Sequence, residues 1–170
     1  MELIPDLKRV GVVFDSSDRT SVAGADILRS LGLKAGLTIH TIGVRNWDEI
    51  QAALRLFERE QSQALIVSDN PFFYAHRERI LQFADHRFPV VAQAKDWAKA
   101  GALVTHAPDY YDMLWRTAVY VDKILNGVKA GDIAVEQATT FELVVNVKTA
   151  KAFGLMVPES VLVRGAEVLR

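Results

Sequence analysis

Short apolar runs that alternate with helical patterns constrain this chain more than any other feature. The runs are Arg9 to Asp15, Leu37 to Val44, Ala64 to Ser68, Pro89 to Gln93 and Ala102 to Thr105. Between them lie stretches with apolar residues at helical spacing. Ala25, Leu28 and Leu31 share one face of a helix expected from Ser21 to about Leu31. Trp47, Ile50, Leu54 and Phe57 form a core-facing stripe in the next. Asn46 followed by Glu49 is a capping-box pattern, and Asp69-Asn70-Pro71 supplies cap residues for a third helix running to about Arg87. A short helix around Trp97 separates the last two runs. Strands that alternate with helices require a parallel sheet with helices on both faces, and wholly apolar strands such as LIV and PVV suit burial on both sides. The expected fold is therefore α/β: an open parallel sheet, one Rossmann-like lobe.

Composition narrows the function. At 170 residues the chain fits a single domain, 1–170, able to bury a real core. A net charge of −1 leaves no basic excess for neutralising nucleic-acid phosphates, and the absence of cysteine excludes thiolate chemistry and Cys-based metal sites. The opening MELIPDLKRV is not a signal peptide, so a chain starting there is expected to be cytoplasmic; an exported parent would carry its signal upstream of Met1. No apolar run reaches the ~18 residues that span a bilayer.

In an open parallel sheet, ligands bind beyond the carboxyl ends of the strands. The richest such end is DSSDRTS. There the hydroxyls of Ser16, Ser17, Thr20 and Ser21 gather at a helix N-terminus, a setting that favours a carboxylate. The same residues serve equally well as caps and turn formers. His106, at another strand end, is a candidate site residue. The remaining histidines, His40, His76 and His86, have no metal-ligand spacing. Trp47, Trp97 and Trp115 sit on apolar stripes and are expected in the core. Arg55, Glu58, Arg59 and Glu60 are expected on a solvated helix face.

Several loops together resemble the ABC-transporter substrate-binding proteins, periplasmic or lipoprotein receptors of the type I fold whose best-understood members take up aromatic amino acids. VGVVFDSSDRTS is similar to that group's SSE-x-N-S loop, with Asp18 for Glu and Thr20 for Asn. VSDN matches a T-D-N loop at Asp69 and Asn70. GALVTHAPDYY resembles GALATYG-x-DYY, with His106 for an aromatic hydroxyl. The tail from Asp109 to Leu155 resembles the group's C-terminal signature. The resemblance covers essentially the whole chain, but only the second of two lobes. It implies that Ser17, Thr20 and Ser21 hold a ligand carboxylate, that Asp69 accepts from its ammonium and that Asn70 orients Asp69. It implies no cofactor and no enzyme activity, with an ABC permease as partner of the full-length receptor.

A receiver-like signalling domain is the alternative, since Asp15, Asp18 and Asp69 mimic its acidic cluster. However, Lys95 follows the fourth strand where a receiver's lysine follows the fifth, and roughly the last 45 residues would be unexplained. No G-x-G-x-x-G or G-x-S-x-G is present.

The helix from Tyr110 to Leu125 carries two apolar stripes. One is Tyr111, Leu114, Ala118, Val121 and Leu125; the other is Tyr110, Met113, Thr117, Tyr120 and Ile124. That face is too wide for an ordinary surface helix. The resemblance implies that 110–128 packs on the first lobe. With that lobe absent, the expectation is a homodimer through helix 110–125, or a helix docked on its own sheet.

Overall fold

The computed structural model describes residues 2–164 and 167–169. A seven-stranded sheet runs in the order β2-β1-β3-β4-β5-β6-β7. Its strands are β1 (Arg9–Asp15), β2 (Thr38–Val44), β3 (Ala64–Val67), β4 (Val90–Ala92), β5 (Val104–Pro108), β6 (Phe141–Asn146) and β7 (Glu167–Leu169). The first five are parallel, as alternation with helices requires. The sheet is not parallel throughout: β6 runs antiparallel to β5, and β7 is parallel to β6.

Side chains alternate between the two faces, so neighbours in β1 enter different clusters. Val13, Leu65 and Val67 pack with helices α2 (Trp47–Arg59), α3 (Pro71–Ala75), α4 (Arg77–Ala84) and α5 (Lys95–Ala100), through Ile50, Leu54, Phe57, Phe73, Ile80 and Trp97. Val10, Val12 and Ala64 face the opposite way, toward Leu28 of helix α1 (Arg19–Lys34). A third cluster joins Leu103, Val104 and Val145 to α7 (Val147–Ala152) and α8 (Glu159–Arg164) through Ala150 and Val161. Gly11 allows the first face to close tightly. A Cβ there would stand 2.6 Å from Cγ of Phe57, so only glycine lets the ring lie against β1.

Helix ends follow the capping chemistry, with some shifts. Helix α1 begins at Arg19, two residues before the expected start, because the Asp18 side chain accepts from the amides of Thr20 and Ser21. At α2, Asn46 accepts from the Glu49 amide, while the Glu49 carboxylate reaches back to the Arg45 amide at 2.8 Å. The single helix expected up to Arg87 is two. The break is at His76, whose backbone leaves helical geometry (φ −104°, ψ 11°) while its Nδ1 lies 2.9 Å from the Phe72 carbonyl. Glu58, Arg59, Glu60 and Arg55 are exposed as expected.

Helix α6 (Tyr110–Leu125) matches its expected span, and none of its residues is buried. It does not dock on its own sheet. Trp115 is 75% exposed, not in the core; Trp97 is buried, and Trp47 is half-buried beneath the Arg79 guanidinium. The return segment, 126–140, folds back along α6. Arg116 fixes it by donating to Asp112, Glu136 and Thr139, and the Asp109 amide donates to the Thr140 carbonyl at the base. The result is an arm standing off the sheet edge. Among the described residues, no helix is long and apolar enough to cross a membrane.

Candidate functional site

The parallel register places the carboxyl ends of β1, β3, β4 and β5 along one edge of the sheet. Asp15, the last residue of β1, organises that edge. Its carboxylate accepts from the Ser17 hydroxyl at 2.6 Å, the Ser17 amide at 2.8 Å and the Asn70 side-chain amide at 3.0 Å. Two loops that are distant in sequence are thereby tied to one carboxylate. These bonds, that of the Ser17 hydroxyl foremost, hold the Asp15 carboxyl below its usual titration range. Asp18 is lowered in the same way, chiefly by the Ser21 hydroxyl and amide. Ser16 turns outward and accepts from Arg45 Nε. Asn70 also caps α3 through the Phe72 amide.

Two cavities open at this edge and meet at Asp69 and Gln93. The first, of about 480 Å³, lies toward α5 and α6, with Tyr74, Lys95, Asp96, Tyr110, Tyr111, Leu114 and Glu142 in its walls. Its charges are partnered. Lys95 Nζ stands 4.0 Å from Glu142 and 5.8 Å from the Tyr111 ring centre. The Tyr74 hydroxyl donates to Asp96 at 2.5 Å, which lowers the Asp96 carboxyl and raises the Tyr74 phenol. Tyr110 directs its hydroxyl at Asp69 from 3.5 Å, and its phenol is raised by burial and by the Asp69 charge. The second cavity, of about 540 Å³, includes Thr20, Ser21, Ser68 and His106, and extends over the face of the sheet that carries α1.

Of the expected site residues, Thr20, Ser21 and Asp69 line the same cavity, whereas Ser17 and Asn70 meet on Asp15 at the rim. Ser16, Ser17 and Asn70 line neither cavity. His106 is exposed and stacks on Phe141. Gln93 and Lys95 belong to a strand end that the sequence offers as a possible site without a role, whereas it shows Tyr110 and Tyr111 only as members of the helix stripes. They lie at the ends of β4 and β5, and only the strand order brings them beside Asp69. The DYY motif after a strand was the available signal. Among the described residues, no cluster of His, Asp and Glu has the makings of a metal site.

Hydroxyls, a carboxylate and tyrosines thus gather at the strand ends of an α/β lobe. Its family is the one described as ABC transporter substrate binding protein, whose profile matches residues 1–169; the chain belongs to it. Members bind solutes and are not enzymes. The tyrosine-binding protein of Clostridioides difficile is 22% identical over 154 residues, which is 90% of this chain and 44% of that protein. The ABC domain from Streptococcus pneumoniae, solved in complex with L-Trp, superposes with a TM-score of 0.88 at 25% identity, covering 99% of this chain and 57% of that one. A conserved domain protein from Vibrio cholerae gives 0.87 at 26%, covering 98% and 56%. The chain thus spans about half the length of the relatives it matches.

Proposed function

We propose that this chain is the second lobe of an ABC uptake receptor for a small amino-acid-like or carboxylate solute. The observation that supports this most directly is the meeting of Thr20, Ser21 and Asp69 at one cavity mouth, with the Tyr110 hydroxyl on Asp69. Asp69 is suited to the ligand ammonium and the Thr20 hydroxyl to its carboxylate. Ser21, whose hydroxyl and amide donate to Asp18, joins only by exchanging that bond for the ligand. The ligand side chain docks between Tyr110, Tyr111 and Leu114. Ser16, Ser17 and Asn70 support the loop that carries them. The relatives named for tyrosine and solved with L-Trp make aromatic amino acids the first solutes to test. In the full-length receptor, closure of two lobes over the ligand would signal to an ABC permease on the extracytoplasmic side.

The arm 110–128 fits the same reading as the surface that meets the first lobe. Tyr111, Leu114, Trp115 and Leu125 are each at least two-thirds exposed, and leaving such side chains in water forfeits ~1.5–3 kcal/mol apiece. In the 170-residue chain alone, a second copy meets that need, giving a homodimer through helix 110–125.

Titration calorimetry with tyrosine and tryptophan tests the ligand. The lone lobe should bind more weakly than micromolar, because a pocket normally encloses ~70–90% of its ligand, and Asp69→Asn should abolish the heat. Tight binding that survives Asp69→Asn would overturn the assignment. Sedimentation of the wild type beside Leu114→Lys tests the dimer, which a wild type monomeric at high concentration removes.

A further inference from the structure

We propose that the second cavity, behind Asp69 on the α1 face of the sheet, takes the aliphatic chain of an amphipathic amine whose ammonium sits on Asp69. The ammonium placement rests on the site reading above; the aliphatic subsite does not.

Gly24 carries the argument. It lies inside the sixteen-residue helix α1, where glycine weakens a helix relative to alanine. Its backbone is not left-handed, and a Cβ built on it meets nothing within 4 Å. Neither conformation nor packing calls for glycine there. Gly32 in the same helix differs, because its Cβ would fall 2.1 Å from Ile39 Cγ1. What the missing side chain at Gly24 does is leave the cavity open.

The lining fits such a chain. Val12, Ile66 and Val91 form an aliphatic floor with Leu28 beside it, and Leu28, Ile66 and Val91 continue into an apolar groove of about 370 Å³. That groove reaches Ala64, so along β3 the path from Ser68 is ~13 Å, long enough for a medium-length alkyl chain. At the mouth, Asp69 is the one carboxylate among the described lining residues, with no lysine or arginine beside it and His106, stacked on Phe141, as the one other ionisable group. A cationic head is therefore preferred to a fatty acid's carboxylate. The Ser68 hydroxyl, buried at this end, has no hydrogen-bond partner among the described residues.

The test is calorimetry of the full chain with butylamine, hexylamine, octylamine and decylamine, with tyrosine titrated in parallel. In the wild type, affinity should rise about fourfold per methylene. Gly24→Leu fills the cavity from a helix that gains by losing glycine, and should flatten the series while melting no lower than wild type. Gly24→Ala should give an intermediate slope. Asp69→Asn should weaken every amine by the same factor. A flat wild-type series overturns the proposal, and so does a slope that Gly24→Leu leaves unchanged, which would place the chains elsewhere, for instance on α6. A Gly24→Leu chain that changes its sedimentation and not its amine binding also overturns it, by showing that the groove receives a second copy. Tyrosine binding with a flat amine series defeats this inference alone. A steep, Gly24-dependent series without tyrosine binding defeats the amino-acid reading alone.

Discussion

Gly11→Ala is expected to destabilise the lobe through one identifiable collision. The new methyl would stand 2.6 Å from Cγ, 2.7 Å from Cδ2 and 3.0 Å from Cδ1 of Phe57. That ring is fully buried among Ile50, Leu54, Leu65 and Val13, so it has nowhere to swing. Overpacking of this kind costs ~1–3 kcal/mol, and replacing a strand glycine returns ~0.5–1 kcal/mol. The net loss is about 1–2 kcal/mol, a large part of a domain's ~5–15 kcal/mol. Urea unfolding should show a lower midpoint at an unchanged slope, and melting should fall by ~2–4 °C per kcal/mol for a chain of this size. Because the cause is the ring, Phe57→Leu should cost less in the Gly11→Ala background than in wild type, a coupling of ~0.5–3 kcal/mol. A Gly11→Ala protein as stable as wild type, or strict additivity in the double mutant, would refute the reasoning.

Two further outcomes follow from the site edge and the arm. Asp15 titrates below the usual carboxylate range, so its contribution to the folded loop is fully present above that range and is lost as the pH falls through the lowered value. An NMR titration should show the Ser17 amide and the Asn70 side chain moving together only in that acid region. A midpoint at or above that of a free aspartate would contradict the clamp. Arg116→Ala should leave the sheet's unfolding midpoint nearly unchanged, since exposed ion pairs add little to global stability. It should also speed protease cleavage within 126–140, and an unchanged digestion pattern would mean that the Arg116 bonds do not fix the return segment.

The elements were legible because their signals are local. Val10 to Phe14, Asn46 with Glu49, and Asn70-Pro71 each state a strand, a cap or a helix start without reference to the rest of the chain. Direction was not legible. FELVVN is apolar whichever way it runs, and its antiparallel pairing with β5 is set by the path of the arm. The break at His76 was hidden because neither glycine nor proline marks it. Trp115 misled for a different reason: periodicity reveals an apolar face, but not whether anything lies against it. At the site, the hydroxyl-rich loop and Asp69 were readable from chemistry at strand ends. Asp15 as the clamp and the two tyrosines were not, because their partners reach them only once β1, β3, β4 and β5 lie side by side.

Pro108 of β5 stands opposite Phe141 of β6, and the backbone bond between Asp109 and Thr140 closes the pair just beyond. In topological terms the arm is an excursion that leaves and re-enters the sheet at one point. An Asn-Gly turn in place of residues 110–139 would complete an ordinary two-residue hairpin, with every strand pairing of the lobe intact and its broadest apolar surface gone. Scaffold and appendage are separable parts. Substitutions along the outer turns of the helix can redirect what it docks against, while substitutions at the strand ends can redirect what is bound. The two kinds of change interfere only at Tyr110, Tyr111 and Leu114, where the base of the arm walls the first cavity.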